Sequence, residues 1–208
     1  MPKFALNRTL LLLTLSDVFN WGFYQIIPAI AGLYLADKFG EQTVSIVGIG
    51  ISIYLVTRGL FQIPIGVICD RMQSNRDEIF FLLVGNVLMA IPYFLYPAIT
   101  EPVHYFSLQF AFGLGAAMNL VTWRKLFAGN LNKNQEGYQY ATYETIMSLM
   151  AAVLSALAGI VAGISHEYFD LVMVLIGATM LLSALWAGLI LRTSAIRTRD
   201  QEGKSQAE

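Results

Sequence analysis

The sequence has few charged residues and almost no cysteine. Only 13% of its 208 residues are charged, whereas a typical soluble domain has about 25%. The single cysteine, Cys69, excludes a disulfide within the chain and a cysteine-rich zinc site. The formal net charge of −1 provides no basic surface of the kind that nucleic-acid binding needs. These shortages exclude a soluble enzyme, a disordered protein and a nucleic-acid-binding protein.

Hydrophobic residues, by contrast, make up 56% of the sequence and gather in six long stretches. A helix needs about 20 apolar residues to cross a bilayer. The six stretches are 9–36, 43–68, 79–98, 104–126, 139–164 and 170–192. Their polarity does not alternate as it would in a transmembrane barrel. We therefore predict an all-α integral membrane protein, with a six-helix domain over 1–192 and a polar, disordered tail over 193–208.

The positive charges of the loops predict the orientation of these spans. If the N-terminus is cytoplasmic, every Lys and Arg except Lys38 and Arg58 lies on the cytoplasmic side. Such an excess of positive charge marks the inner side of short loops. We expect both termini to be cytoplasmic, in a bacterial-type inner (plasma) membrane.

The first span carries polar side chains along one face, at the spacing of a helix. They are Asp17, Asn20, Trp21, Tyr24, Gln25 and Pro28. A polar stripe in a membrane helix points to the bundle interior or to a wet cavity. We therefore take Asp17, Asn20, Trp21, Tyr24 and Gln25 as candidates for binding a substrate or an ion.

The second span adds Tyr54, Arg58 and Gln62 on one face. Arg58 and Asp17 are expected at similar depths, because the two helices run antiparallel. The sequence thus predicts an ion pair between them, which either locks two helices together or takes part in binding. The third and sixth spans are mostly apolar and are predicted to be a lipid-facing scaffold.

The fifth span has small residues at a strict spacing of four: Ala151, Ser155, Gly159 and Gly163. Such a ridge allows another helix to pack closely. Glu144, in the same span, is expected near Arg124, Lys125 and Arg71 as part of a gate or a packing salt bridge.

Gly66, Asp70 and Arg71, after the second span, resemble the motif that the major facilitator superfamily carries between its second and third helices. Gly113 and Gly115 resemble the glycines of its fourth-helix pattern, although Gln109 stands where the family has an Arg associated with proton coupling. The resemblance implies one six-helix half of N-terminal type, built from two inverted three-helix repeats. It further implies that the first and fourth helices line a cavity and that the second and fifth contact the other half.

The resemblance also implies a cytoplasmic gate formed by Gly66, Asp70, Arg71, Glu144 and Arg124. The leading hypothesis is a half-size secondary transporter of a small solute, working as a homodimer or with a similar half. In that dimer the ridge from Ala151 to Gly163 would be the contact surface. Two alternatives stay open: a non-transporting accessory or assembly protein of the same fold, and the N-terminal half of a longer transporter.

Enzymatic motifs are missing from the sequence. It has no His-Glu-x-x-His pair, no Gly-x-Ser-x-Gly elbow and no Walker-type glycine loop. His104 and His166 lie at the outer ends of predicted spans, where an interfacial position is expected. We expect no enzyme activity, no cofactor and no metal; the expected partners are the bilayer, a small-molecule substrate and a second half.

Overall fold

The computed structural model describes residues 6–72, 74–164 and 168–193, and these residues contain helices and no strand. The α-helices are α1 (Arg8–Asp17), α2 (Ile27–Phe39), α3 (Thr43–Arg71), α4 (Asn75–Leu95), α5 (Pro102–Gly129), α6 (Glu136–Ile164) and α7 (Phe169–Ile190). The all-α prediction is confirmed for this part of the chain. His166 and the tail beyond Thr193 lie outside the described residues.

Within the described residues, four helical runs are long and apolar enough to cross a membrane: Ile30–Arg71, which joins the end of α2 to α3, Asn75–Ala98, Glu136–Val161 and Phe169–Ile190. Helix α5 has 28 residues, but polar residues such as Gln109 and Asn119 interrupt its apolar surface. All six predicted stretches are helical, whereas their number as membrane crossings stays a prediction.

The first span is a broken helix, not the continuous one predicted over 9–36. Helix α1 ends at Asp17, a π-helical turn covers Val18–Gly22, and α2 begins at Ile27. A proline occupies the first turn of α2. Proline lacks the N–H of a regular helix, and its ring excludes the carbonyl one turn earlier, so it interrupts the hydrogen-bond ladder. Single π-turns in helices are frequent at functional sites.

Contacts at both ends show that the first span, α1 with α2, runs antiparallel to α7, and that α1 begins where α5 ends. At one end, Asn7 Nδ2 donates to the Asn130 carbonyl at 2.7 Å, and Thr9 Oγ1 donates to Thr193 Oγ1 at 3.2 Å. We call this the basic end, because the loops at 72–74 and 130–135 lie beside Arg71, Arg76, Arg124, Lys125 and Lys133. At the opposite end, the Tyr34 hydroxyl donates to Asp170 at 2.6 Å.

Glycines bring α5 close to both α3 and α4. A methyl group on Gly115 would lie 2.8 Å from the backbone nitrogen of Met89, and one on Gly113 would lie 2.8 Å from the Tyr54 carbonyl. Both distances are shorter than any side chain tolerates. The glycines of the fourth-span pattern therefore set the helix spacing at the centre of the bundle.

In the described part of the chain, the buried core has two large apolar clusters with polar side chains between them, and a small third cluster formed by Ile65, Cys69, Ala117 and Met118. Toward the basic end the core contains Leu13, Leu82, Phe127 and Ile190. Toward the opposite end it contains Ile30, Met89, Phe112 and Met180. On each of four helical segments a buried polar residue stands between the clusters: Asn20, Asn86, Asn119 and Ser183.

This polar layer corrects the prediction that the third and sixth spans are scaffold only. Asn86 of α4 and Ser183 of α7 are fully buried, and the Ser183 carbonyl accepts a hydrogen bond from Ser16 Oγ at 3.0 Å. Helices α4 and α7 thus contribute polar groups to the centre of the bundle.

Helices α3 and α6 expose the broadest apolar faces. On α3 the exposed side chains include Leu60 and Ile63, and on α6 they include Leu149 and Ile160. A methyl group on Gly48, Gly59 or Gly159 would meet no atom within 4 Å. These three glycines therefore lie on surfaces that the described chain leaves open, whereas Gly50 of α3 packs against Tyr105.

Candidate functional site

The π-helical turn directs Asn20 and Trp21 toward the centre of the bundle, where three asparagines meet. Trp21 Nε1 donates to Asn119 Oδ1 at 2.8 Å, and Asn119 Nδ2 donates to Asn86 Oδ1 at 2.6 Å. Asn20 Nδ2 donates to the same Asn86 oxygen at 3.3 Å. We call Asn20, Asn86 and Asn119 the asparagine layer. It connects the first, third and fourth predicted spans.

The orientation of these amides follows from Trp21. An indole N–H can only donate, so the oxygen of Asn119 must face it. The Asn119 amino group then faces Asn86 and requires an oxygen there. This leaves two fully buried atoms without a partner, Asn20 Oδ1 and Asn86 Nδ2. An unpaired buried polar atom costs about 1–3 kcal/mol of folding stability. The asparagine layer therefore destabilises the fold in this conformation.

Next to this layer, aromatic rings surround Phe112 of α5. The Tyr24 ring stacks on Phe112 at 5.2 Å between centroids, and Tyr54 lies at 5.4 Å. Tyr93 and Trp21 meet the same ring edge-on at 5.6 and 6.3 Å. We call Trp21, Tyr24, Tyr54, Tyr93 and Phe112 the aromatic wall. Tyr54, Tyr93 and Phe112 are buried, whereas Trp21 and Tyr24 are half-buried and present flat ring surface with a polar tip.

Arg58 contacts this wall and not Asp17. Its Nη1 donates to the Tyr54 hydroxyl at 2.7 Å, and its Cζ lies 5.1 Å from the centroid of the Tyr54 ring. Asp17 instead accepts a hydrogen bond from the Tyr143 hydroxyl at 2.6 Å. The predicted ion pair between Asp17 and Arg58 is therefore wrong. Equal depth on neighbouring helices does not bring two side chains together when they point to different neighbours.

Asp17 belongs to a second cluster, nearer the basic end. It is buried, and its partner Tyr143 packs against the rings of Trp123 and Phe127 at 4.7 and 5.2 Å. Trp123 Nε1 in turn donates to the Leu13 carbonyl at 3.1 Å. This cluster fastens α6 to α1 and α5.

At the basic end, Lys125 holds the loop motif in place. Its Nζ lies 2.8 Å from Glu78 Oε1 and 3.7 Å from Asp70 Oδ1. Lys125 Nζ also donates to the Cys69 carbonyl. The end of α3, the start of α4 and the end of α5 are therefore joined by one cation. Asp70 takes part in this contact, and its role in a gate stays a prediction.

The rest of the predicted gate is not assembled. Arg71, Arg124 and Glu144 are exposed, and among the residues that the structure describes these three form no ion pair with one another. Gly66 has only Val121 within 4.0 Å of an added methyl group. The carboxylate that Lys125 binds is Glu78 at the start of α4, and not Glu144 as predicted.

The other predicted site residues lie at the margin. Gln25 is exposed, and its carbonyl is 3.5 Å from Ser155 Oγ. Gln62 is half-buried on α3. On the small-residue ridge, Ala151 is half-buried and Gly159 is exposed. The surroundings of Gly163 lie outside the described part of the structure.

Sequence reasoning missed Asn86, Asn119, Phe112 and Tyr143 as site residues. Asn86 was the one strongly polar residue of an otherwise apolar span, which was the available signal. Phe112 gave no signal, because an aromatic residue in an apolar span is ordinary.

Comparison with known proteins gives one family. The family model of the Major Facilitator Superfamily matches residues 10–207 of the chain. Searches of the curated proteins and of the solved structures give no match.

Proposed function

Because the chain belongs to the major facilitator superfamily, we propose that it is a secondary transporter that moves a small organic solute or ion by alternating access. Membership in the family supports a membrane transporter, and the architecture of the bundle supports a place for the solute. Transporter sites are typically built at interrupted helices near the middle of the membrane. Here the interrupted helix is the first one, between α1 and α2.

The observation that carries this proposal is the asparagine layer beside the break. Its two unpaired buried atoms, Asn20 Oδ1 and Asn86 Nδ2, are an acceptor and a donor at the centre of the bundle. A purely structural layer would be expected to satisfy its own polar atoms. Groups that stay unpaired in one conformation can bind a solute in another.

The proposed working unit contains two halves. The apolar faces of α3 and α6, with open glycines at Gly48, Gly59 and Gly159, support pairing with a second copy or a similar half. A two-fold axis along the membrane normal would keep both copies in one orientation and place α3 of one opposite α6 of the other. Asp70, whose side chain is 79% exposed, would then lie near the start of the partner's α6.

The test is uptake by proteoliposomes, with a panel of radiolabelled anions, sugars and amino acids. We expect saturable uptake of at least one of these solutes and its loss in Asn119→Leu, which removes the acceptor of Trp21. Ser107→Ala is the matched control, because Ser107 is exposed on the same helix and its hydroxyl bonds only the Val103 carbonyl. Absence of uptake across the panel, together with stable capture of a partner protein, would favour the accessory role instead.

A further inference from the structure

We propose that Arg58 binds the anionic group of the transported solute, and that the aromatic wall takes its apolar part. The inference rests on the proposed transport function and narrows it to organic anions. It starts from the ion pair that is not formed: Asp17 binds Tyr143, and no carboxylate among the described residues pairs with the guanidinium of Arg58.

Arg58 stands near the middle of a long apolar helix. Helix α3 runs over Thr43–Arg71, 29 residues, so Arg58 lies roughly 20 Å from either end at 1.5 Å per residue. A lipid headgroup does not reach this depth, because the hydrocarbon core is about 30 Å thick. A charge at this depth is costly unless a partner compensates it.

The chain itself supplies little compensation. Within the described residues, the contacts of Arg58 are the Tyr54 hydroxyl, at 2.7 Å, and the face of the same ring. A guanidinium has five N–H donors in a planar fork that matches a carboxylate or a phosphate. Lys125, at the basic end, pairs with two carboxylates, and among the described residues none pairs with Arg58. Arg58 is only half-buried, so its remaining donors are available.

The surroundings of Arg58 select the rest of the ligand. Tyr54 connects the guanidinium to the aromatic wall, because its ring lies 5.4 Å from the Phe112 ring. The Phe112 ring in turn stacks on Tyr24 at 5.2 Å. Flat rings beside a cation favour an aromatic or apolar body that carries one negative group. A small aromatic carboxylate, sulfonate or phosphate therefore fits this site better than a sugar or an organic cation.

Three ligands of nearly equal shape separate charge from size: benzoate, benzamide and benzylamine. Benzenesulfonate and phenyl phosphate extend the anionic series. Binding to the purified full chain in detergent is measured by isothermal titration calorimetry. We expect at least one of the three anions to bind, and benzamide and benzylamine to bind more weakly or not at all. Arg58→Gln should weaken anion binding by about 30-fold or more, as for loss of one partner of a desolvated charge pair.

The controls distinguish a loss of anion binding at Arg58 from a general change in charge or a failure to fold. Arg58→Lys retains the charge without the fork, so it should bind more weakly than the wild type but better than Arg58→Gln. Arg8→Gln removes an exposed arginine and should leave binding unchanged. If Arg58→Gln does not fold, the wild-type chain still gives an answer. Phenylglyoxal modifies arginines, and the best-binding anion should slow its reaction at Arg58, read by peptide mass spectrometry, but not at Arg8.

Three results would overturn the inference. They are equal binding of benzoate and benzamide with no preference for the other anions, unchanged affinity in Arg58→Gln, and no protection of Arg58. Arg58 would also show no protection by the anion if a carboxylate of a second copy paired with it. The proposed transport function is judged separately: uptake of a neutral solute with no anion binding contradicts the anion site alone. Anion binding without uptake of any solute contradicts transport alone.

Discussion

Two tyrosine hydroxyls bind the two ionisable side chains nearest the centre of the bundle. Tyr143 donates to Asp17, and Tyr54 accepts from Arg58. A neutral partner leaves the formal charge of each group in place, whereas an ion pair would cancel both. Asp17 is buried, so of the two side chains only the half-buried Arg58 is open to a solute.

At the residue scale, we predict that Tyr143 stabilises the fold through Asp17. Tyr143→Phe removes the donor and leaves a buried carboxylate without its hydrogen bond, which should cost about 1–3 kcal/mol. The free energy of unfolding is measured by denaturant titration in detergent. Tyr168→Phe, at an exposed tyrosine, is the control and should change the stability little.

A double-mutant cycle then tests the partners. Asp17→Asn and Tyr143→Phe should show a coupling energy of about 0.5–3 kcal/mol, as contacting residues do. Asp17→Asn and Arg58→Gln should instead be additive within about 0.5 kcal/mol, because they share no partner. Strong coupling of Asp17 to Arg58 would contradict the contacts described for both residues.

At the scale of the elements, glycines decide how closely α4 and α5 approach. A methyl group on Gly115 would stand 2.8 Å from the Met89 backbone nitrogen and 2.9 Å from the Gly85 carbonyl. Backbone atoms cannot move aside as a flexible side chain can. The spacing of the two helices, and with it the contact of Asn86 with Asn119, depends on the missing side chain.

We therefore predict that Gly115→Ala destabilises the chain by about 1–3 kcal/mol through overpacking. Gly188→Ala is the matched control, because a methyl group there meets no atom within 4 Å. This control should be neutral or stabilising by up to about 1 kcal/mol, since alanine favours a helix over glycine. Thermal unfolding in detergent compares the two, and equal stability of both variants would contradict the close approach of α4 and α5.

At the scale of the whole molecule, the topology is tested by labelling introduced cysteines with a membrane-impermeant maleimide. Cys69 is fully buried, so it gives little background. Cysteines at Glu41 and Glu101 should react from outside the cell, and cysteines at Asn132 should react only after the membrane is opened. Labelling of Asn132→Cys in intact cells would contradict the orientation predicted from the loop charges.

The proposed pairing of two copies is tested by crosslinking through α3 and α6. Val67 and Tyr140 are exposed, each four residues from the basic end of its helix. In a Cys69→Ala background, Val67→Cys with Tyr140→Cys should give a dimer band in membranes. Phe80→Cys with Leu185→Cys, exposed on α4 and α7, should not. Equal dimer bands from both pairs would indicate random collision and not a specific interface.

The sequence by itself determined what depends on local composition. The length of the apolar stretches predicted the helices, because a helix satisfies the hydrogen bonds of its own backbone in lipid. The loop-motif residues Gly66, Asp70 and Arg71 pointed to the family that the matched residues 10–207 show. The helical stripe from Asp17 to Gln25 marked the face on which Asn20 and Trp21 reach the bundle interior.

Only the tertiary structure decided which side chains meet. Helical periodicity gives the face of a residue, but not the rotation and height of the neighbouring helix. Pairing depends on that rotation and height, so Asp17 contacts Tyr143 and not Arg58, and Lys125 contacts Glu78 and not Glu144. The break after Asp17 also changed the register of the first helix. A one-residue bulge turns every later side chain by about 100° around the helix axis. A prediction that assumes a continuous helix does not include this rotation.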